Sequence, residues 1–347
     1  MINRVLFIIM LVAGLGAPFY AYPVFVMDLL CFALFACAFN LLLGYAGLLS
    51  FGHAAFFGGA AYITGYVTKE WGFGPIFGIL AGTGFALILG TIFGFLAIRR
   101  QGIYFAMVTL ALAQIIYFLA LQMPFTGGEN GLQGIPRGEL FGFISLNNEI
   151  AMYYFVFAVF LIGFAIIHRT INSPFGEVLQ AIRENESRAL SLGYDVDHFK
   201  LLAFIISATL AGTAGATKAV IFQFAALTNA HWQTSGEVIL MTLVGGLGTI
   251  FGPVLGAITV GALSHELSAF GSWVQVILGT VFVVCVMVFR RGIVGEIQHR
   301  LLKKKADKWA AGACYSPRKP PRMASSTSQR RSTCSPRSRR RLVFQAK

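Results

Sequence analysis

Nine apolar stretches, most of them about 20 residues long, occupy most of the first 290 residues of the chain. They cover roughly residues 5–22, 24–43, 46–67, 74–98, 102–122, 150–168, 200–222, 236–267 and 271–289. A helix needs about 20 apolar residues to cross the hydrocarbon core of a bilayer, and its backbone polar groups must be paired within the segment. The chain is therefore predicted to be an all-α, polytopic integral membrane helix bundle.

Charges in the loops predict the orientation of these spans. Basic residues follow several of the runs: Arg99, Arg100, Arg169, Arg290 and Arg291. Because basic loops stay in the cytoplasm, these ends are assigned to the inside. The loop 123–149 has one basic residue and three acids, and it is assigned to the outside. The first run is interpreted as a retained span, since no clean signal-peptide cleavage site follows it.

The number of spans follows from this orientation. With the N-terminus and the C-terminus both in the cytoplasm, the number of crossings must be even. The run 236–267 is too long for one crossing and is interrupted by glycines at 245, 246 and 248 and by Gly252-Pro253. The prediction is eight to ten spans, with one broken or re-entrant segment.

Small residues recur at every fourth position in three of the runs. The rows are Gly78, Gly82, Ala86, Gly90 and Gly94; Ala203, Ser207, Ala211, Gly215 and Ala219; and Gly248, Gly252 and Gly256. Such rows let helix backbones approach closely inside a membrane. They predict tight helix packing, and no transport role is inferred from the rows themselves.

The net charge of +13 comes entirely from a C-terminal tail. Residues 303–347 contain 14 lysines and arginines and one acid, whereas the first 302 residues contain 13 charges of each sign. The tail is rich in Arg, Ser and Pro and has no apolar period, which predicts disorder. The chain is thus divided into a transmembrane domain, 1–302, and a basic disordered tail, 303–347, for which no nucleic-acid partner is expected.

Polar side chains deep inside the apolar runs are few. Asn40, Ser50 and His53 are interpreted as candidates for a translocation pathway, although a lone histidine here more often forms a hydrogen bond between helices. The broken segment adds Gly245, Gly246 and Gly248 to these candidates, because non-helical backbone at membrane depth must line a cavity or lie within protein.

Four ionisable residues lie nearer the predicted span ends. They are Asp28, Glu237, His265 and Glu266. Charged groups inside a membrane are costly and often functional, but an interfacial position explains these four. No ladder of charges crosses the membrane, which argues against a proton relay or a voltage sensor.

Catalytic motifs are absent from the sequence. It has no glycine-rich phosphate loop followed by lysine, no H-E-x-x-H and no G-x-S-x-G, and its five cysteines lack metal or redox spacing. The chain is therefore not expected to be an enzyme or to hold a metal or cofactor.

One long polar segment, 173–198, separates two apolar runs. Ser173 followed by Pro174 is typical of a helix start. A second short helix is predicted from Glu186 to Leu192, ended by Gly193. One face of the first helix is apolar: Phe175, Val178, Leu179 and Ile182. A cytoplasmic amphipathic segment either docks on a partner or lies on lipid headgroups, and its residues alone leave both open.

Three parts of the sequence together resemble the M-type permease subunits of branched-chain amino acid ABC importers. They are NLLLGYAGLLSFGHAAFFGGAAY at 40–62; RRQGIYFAMVTLALAQI at 99–115 with TGGENGLQGIP at 126–136; and AIRENESRALSLGYDVDHFKLLAFIISATLAGTAGA at 181–216 with LMTLVGGLGTIFGPVLGA at 240–257. The resemblance extends in order over about residues 25–292. It implies a permease subunit in a bacterial inner membrane for branched-chain or related amino acids, with a urea or amide permease as the alternative.

The resemblance also implies partners and a coupling site. Two ATPase subunits on the cytoplasmic side, a sister permease and a periplasmic binding protein are expected. ABC importer permeases carry an E-A-A-x3-G loop that docks on the ATPase, and Glu186, Ala189 and Gly193 match it loosely. The predicted coupling residues are Phe175, Leu179, Glu186, Ala189 and Gly193.

Two alternatives from other classes are a stand-alone transporter or channel, disfavoured by the long amphipathic segment, and a membrane enzyme.

Overall fold

The computed structural model describes residues 2–140, 144–146 and 148–267, together with positions 271, 276–277, 279–280, 283, 287, 292 and 295. Most of the predicted last span, 271–289, and the whole predicted tail, 303–347, lie outside the described residues.

The described chain is almost entirely helical. The long helices are α1 (Ile2–Tyr20), α2 (Pro23–Asn40), α3 (His53–Glu70), α4 (Pro75–Ala97), α5 (Ile103–Gln122), α6 (Glu149–Ile171) and α9 (Val196–Phe222). The short helices are α7 (Pro174–Glu184), α8 (Glu186–Ser191), α10 (Trp232–Gly245) and α11 (Gly252–Leu267). Prolines occupy the first position of α2, α4 and α7, where their missing N–H costs no hydrogen bond.

Irregular helices and short strands make up the connections. A π-helical turn (Leu41–Ala46) continues α2, and 3₁₀ turns cover Pro124–Thr126, Gly128–Asn130 and Leu227–Ala230. The strands are β1 (Leu132–Gln133), β2 (Glu139–Leu140), β3 (Ile144–Ser145) and β4 (Phe224–Ala225). β1 pairs antiparallel with β4, with Leu132 opposite Ala225, and β2 pairs antiparallel with β3, with Glu139 opposite Ser145.

Five helical segments among the described residues are long and apolar enough to cross a bilayer. They are Pro23–Ala46, Pro75–Ala97, Ile103–Gln122, Glu149–Ile171 and Val196–Phe222, and Leu6–Tyr20 is a shorter apolar helix. The predicted all-α membrane helix bundle is confirmed. The total of eight to ten spans stays a prediction, because it depends on the run 271–289.

The long run 236–267 is broken where the sequence predicted. α10 and α11 have 14 and 16 residues, which is about 21 and 24 Å of helix and less than the roughly 30 Å hydrocarbon core. Gly245 lies against the backbone of Gly252, and Gly256 lies against that of Met241. The two helices therefore fold back on each other as a hairpin, and residues 246–251 form its tip.

The rows of small residues lie where helices pack most closely. α9 contacts α2, α3 and α4 at the centre of the bundle. Its Gly215 lies against the backbone of Phe57 in α3, and Gly90 of α4 lies against Ala208 of α9. A methyl group at either glycine would collide with the neighbouring helix. The packing role predicted for these rows is confirmed.

Candidate functional site

The side chain of Asn40, at the end of α2, holds the hairpin tip. Its Nδ2 donates to the carbonyl oxygen of Thr249 at 2.9 Å, and its Oδ1 accepts from the N–H of Gly248 at 3.1 Å. Asn40 is buried, and the tip is non-helical, so these backbone groups have no partner within a regular helix. One amide, which both donates and accepts, therefore fixes the tip to α2.

The backbone of the π-helical turn after Asn40 also lies against the hairpin tip. A Cβ on Gly44 would collide with the Asn40 side chain and would lie 2.8 Å from the backbone nitrogen of Gly248. The turn ends at Gly47, which has a left-handed φ of +74° that favours glycine. π-Helical turns are rare and often lie at functional sites.

Arg183 joins the polar segment to this junction. The guanidinium Nη1 donates to the carbonyl oxygen of Gly44, and the aliphatic stem lies against Gly47. A cavity of about 420 Å³ opens here, lined by Gly44, Tyr45, Gln180, Arg183, Glu184, Leu247 and Gly248. α7, the π-helical turn and the hairpin tip therefore meet at one point, which we call the junction.

Four of the six predicted pathway residues gather at or beside the junction. Asn40 and Gly248 are in contact there, and Gly245 and Gly246 end α10 next to them. The predicted roles of these residues in a pathway stay predictions. Arg183 and Thr249, which complete the junction, were not among the candidates, because a surface arginine and a single threonine have no distinctive sequence pattern.

His53 and Ser50 lie elsewhere, inside the helix bundle, and do not line the junction cavity. The Nε2 of His53 is 2.8 Å from the Oγ of Ser207, which itself donates to the carbonyl oxygen of Ala38 at 2.6 Å. Rings of Phe39, Phe56 and Phe204 surround the imidazole. His53 thus forms the hydrogen bond between helices that the sequence favoured. Ser50 is fully buried and accepts from the N–H of Gly52 at 3.2 Å.

The polar segment 173–198 forms the two predicted helices, α7 and α8, and α9 begins within it, at Val196. Leu179 is fully buried, and Ala189 packs against Ile182 and Val196. Phe175 is half-buried and stacks on Phe199 with ring centroids 5.6 Å apart. The apolar face of the segment is therefore covered by the chain itself.

Glu186 holds α8 against the helix bundle. Its Oε1 lies 2.8 Å from the Nζ of Lys200 and accepts from the Nε2 of Gln101 at 2.9 Å. The Lys200 side chain is only 5% exposed and that of Glu186 is 31% exposed. Leu179, Glu186 and Ala189 thus anchor the segment within this chain, and their role in coupling stays a prediction.

Gly193 ends α8 as predicted. It has a φ of +86°, its N–H donates to the carbonyl oxygen of Leu190, and the N–H of Tyr194 donates to that of Ala189. No described atom lies within 4 Å of the position that a Cβ would take. The backbone conformation, and not space, is what requires glycine here.

The exposed side of the segment carries apolar residues that the sequence pattern did not reveal. Leu190, Leu192 and Tyr194 are 58%, 70% and 41% exposed. They surround Gly193 and fall outside the 3-4 spacing that identified the buried face. We call these three side chains the α8 patch.

Residues 24–289 match the family described as branched-chain amino acid transport system / permease component. The chain belongs to this permease family. The matched region includes Asn40, the junction, α7 and α8, and it leaves out the predicted tail.

Several curated permeases are similar to this chain over about two thirds of its length or more. The high-affinity branched-chain amino acid transport system permease protein LivM of Escherichia coli (strain K12) is 29% identical over 72% of this chain and 64% of its own length. A probable branched-chain amino acid transport permease protein LivM of Methanocaldococcus jannaschii is 24% identical, over 67% of this chain and 78% of its own. The fructose import permease protein FrcC of Rhizobium meliloti is 26% identical, over 66% of each chain. No solved structure shows significant similarity.

Proposed function

We propose that this chain is the permease subunit of an ABC importer that moves branched-chain or related amino acids across a bacterial inner membrane. The family and the names of the LivM relatives support this substrate class. Separate ATPase subunits would supply the energy from the cytoplasmic side. A sister permease would complete the membrane part, and a periplasmic binding protein would deliver the substrate.

The observation that supports coupling is the contact between Arg183 and Gly44. A force on α7 would reach the π-helical turn through Arg183 and the hairpin tip through Asn40. The tip joins two helices that are each shorter than the bilayer core, so its movement would change the packing of non-helical backbone inside the bundle. A contiguous set of contacts of this kind supports a two-state coupling between ATP binding and transport, in which both sites bias the position of the hairpin tip.

The α8 patch is the docking surface for the ATPase in this proposal. Leu190, Leu192 and Tyr194 are exposed at the end of a segment whose other face is buried. An exposed apolar cluster rimmed by charged residues is typical of a protein interface. An interfacial helix would turn its apolar face to lipid, but the apolar face of α7 lies against this chain.

Gly193→Val tests the coupling role. Valine in a left-handed conformation costs about 1–2 kcal/mol, so the end of α8 should shift and carry Leu192 and Tyr194 with it. In the complex reconstituted with its partners, we expect loss of ATP hydrolysis stimulated by leucine-loaded binding protein, and loss of leucine uptake, at normal assembly. Gly72→Val is the matched control, because Gly72 has a φ of +67° and open space around it, but lies in the loop between α3 and α4.

The outcome separates the parts of the proposal. Undiminished stimulation in the Gly193→Val complex would remove the coupling role of α8. Uptake of urea in place of leucine by the unmodified complex would establish the alternative substrate class within the same family.

A further inference from the structure

A second cavity, of about 740 Å³, lies at the end of α3 away from His53. Small-molecule sites in proteins in general have volumes of about 300–1,000 Å³. The last turn of α3 and the loop that follows α5 form its wall, which includes Tyr66, Lys69, Glu70, Phe125, Leu132 and Gln133. We call it the loop cavity. Its loop, 123–149, is predicted to lie outside, on the side from which an importer receives its substrate.

The loop cavity carries one charge of each sign, and both are free to bind a ligand. Lys69 and Glu70 line it and are exposed. Within the part of the chain that the structure describes, neither of them forms an ion pair. The Nζ of Lys69 donates to the carbonyl oxygen of Gln133 at 3.1 Å. This bond holds the ammonium group at the wall and leaves two of its three N–H donors for a ligand.

Apolar side chains form another part of the wall. Tyr66 and Phe125 pack edge to face with ring centroids 5.2 Å apart, and Phe125 is 40% exposed. Leu132 belongs to the same apolar cluster that Tyr66 packs against. An aliphatic group in the cavity would remove apolar surface from water against these side chains, which is favourable.

A buried hydroxyl group without a partner lies behind this wall. Tyr62 is one turn of α3 nearer the middle of the helix than Tyr66, and it belongs to the same apolar cluster as Leu132. It is 3% exposed, and its hydroxyl oxygen has no hydrogen-bond partner among the described residues. Buried hydroxyls are in general hydrogen-bonded. This one is available to a polar ligand that moves inward from the cavity.

We propose that the loop cavity is a weak binding site for the amino acid that the permease transports, occupied before the amino acid enters the bundle. Lys69 binds the α-carboxylate, Glu70 binds the α-ammonium group, and the rings of Tyr66 and Phe125 contact the branched side chain. Because ion pairs between exposed groups are weak, the site releases its ligand readily. This inference rests on the proposed function, since it takes the substrate to be an amino acid.

Leucine binding to the complex of the permease with its sister and the ATPases, without binding protein, is the first test. A saturation-transfer NMR titration should give a dissociation constant in the millimolar range. Glu70→Gln keeps the shape of the side chain and removes its charge, and it should raise this constant about twofold to fivefold. Glu139→Gln is the matched control, because Glu139 is an exposed acid of the same loop outside the wall of the cavity. Equal constants for the two variants would overturn the site.

The double variant Lys69→Gln/Glu70→Gln removes both charges. Glutamine at position 69 keeps an N–H donor for the carbonyl oxygen of Gln133, so the loop should stay in place and the thermal midpoint without leucine should be unchanged. Leucine binding should be weaker than in Glu70→Gln alone. Binding as tight as in the unmodified complex would overturn the proposal.

Ligand analogues separate the three contacts without any substitution. Leucinamide lacks the carboxylate, the keto acid of leucine lacks the ammonium group, and glycine lacks the branched side chain. Each should bind the unmodified complex severalfold more weakly than leucine does. Binding of all three with the affinity of leucine would overturn the site.

Leucine uptake driven by loaded binding protein separates this inference from the proposed function. If the unmodified complex takes up no leucine, the proposed function itself fails. If it takes up leucine, and the double variant binds leucine as the unmodified complex does, only this inference fails.

Discussion

A single buried amide at position 40 satisfies two backbone groups of the hairpin tip. Asn40→Ala would leave the N–H of Gly248 and the carbonyl oxygen of Thr249 without this partner. A buried polar group without a partner costs about 1–3 kcal/mol. We expect a clear fall in the thermal midpoint of the purified protein. Asn172→Ala should change it little, because that amide bonds at the exposed end of α6; equal midpoints for the two variants would contradict the role of Asn40.

The two partners of the α8 ion pair should respond unequally to substitution. Glu186→Ala leaves the ammonium of Lys200, 5% exposed, without its carboxylate, whereas Lys200→Met leaves a carboxylate that is 31% exposed and can be hydrated. An unpaired buried charge costs more than a hydrated one. Glu186→Ala should therefore lower the thermal midpoint more than Lys200→Met does. The reverse order would show that Lys200 reaches water when its partner is gone.

At the scale of elements, the contact between α10 and α11 depends on glycine. A Cβ on Gly256 would collide with the carbonyl oxygen of Met241, whereas one on Gly236, also in this hairpin, has open space. Gly256→Ala should separate the two helices and lower the thermal midpoint, because overpacking costs about 1–3 kcal/mol. Gly236→Ala should be neutral or stabilise by up to about 1 kcal/mol, since alanine favours helix. Similar effects of the two changes would contradict the close packing of the hairpin.

Some elements could be predicted from the sequence and others could not. The starts of α2, α4 and α7 follow from prolines, and the end of α8 follows from Gly193, because these residues act on their own backbone. The run 46–67 was predicted as one span, but α3 begins only at His53. The helix does not begin at residue 46 because Gly47 adopts a left-handed φ beside the aliphatic stem of Arg183. A local sequence pattern cannot predict that contact.

At the scale of the whole molecule, the junction was only half predictable. Asn40 was identified because polar side chains are few inside the apolar runs, and the glycines of the hairpin tip because they interrupt a run too long for one crossing. The hydrogen bond from Asn40 reaches the carbonyl oxygen of Thr249, 209 positions later in the chain. A contact between such distant positions produces no periodic pattern in the sequence. The burial of Leu179 and Ala189 within this chain was likewise not predictable. An amphipathic pattern identifies the apolar face of a helix, but it does not show whether the same chain or a partner covers that face.

The orientation of the molecule in the membrane can be tested at the two ends of α9. This helix has 27 residues, about 40 Å in length, which exceeds the roughly 30 Å hydrocarbon core. Ser187 lies in α8, just before α9, whereas Asn130 precedes β1, which pairs with β4 just after α9. Both residues are exposed, and they lie at opposite ends of one crossing.

With the five native cysteines replaced by alanine, Asn130→Cys should react with a membrane-impermeant maleimide in intact cells. Ser187→Cys should react only in inside-out vesicles, because the basic residues gather at its end: Arg99, Arg100, Arg169, Arg183 and Arg188. Labelling of both from one side would contradict the crossing by α9 itself. A reversed pattern would keep the crossing and invert the orientation, and it would move the α8 patch away from any cytoplasmic ATPase.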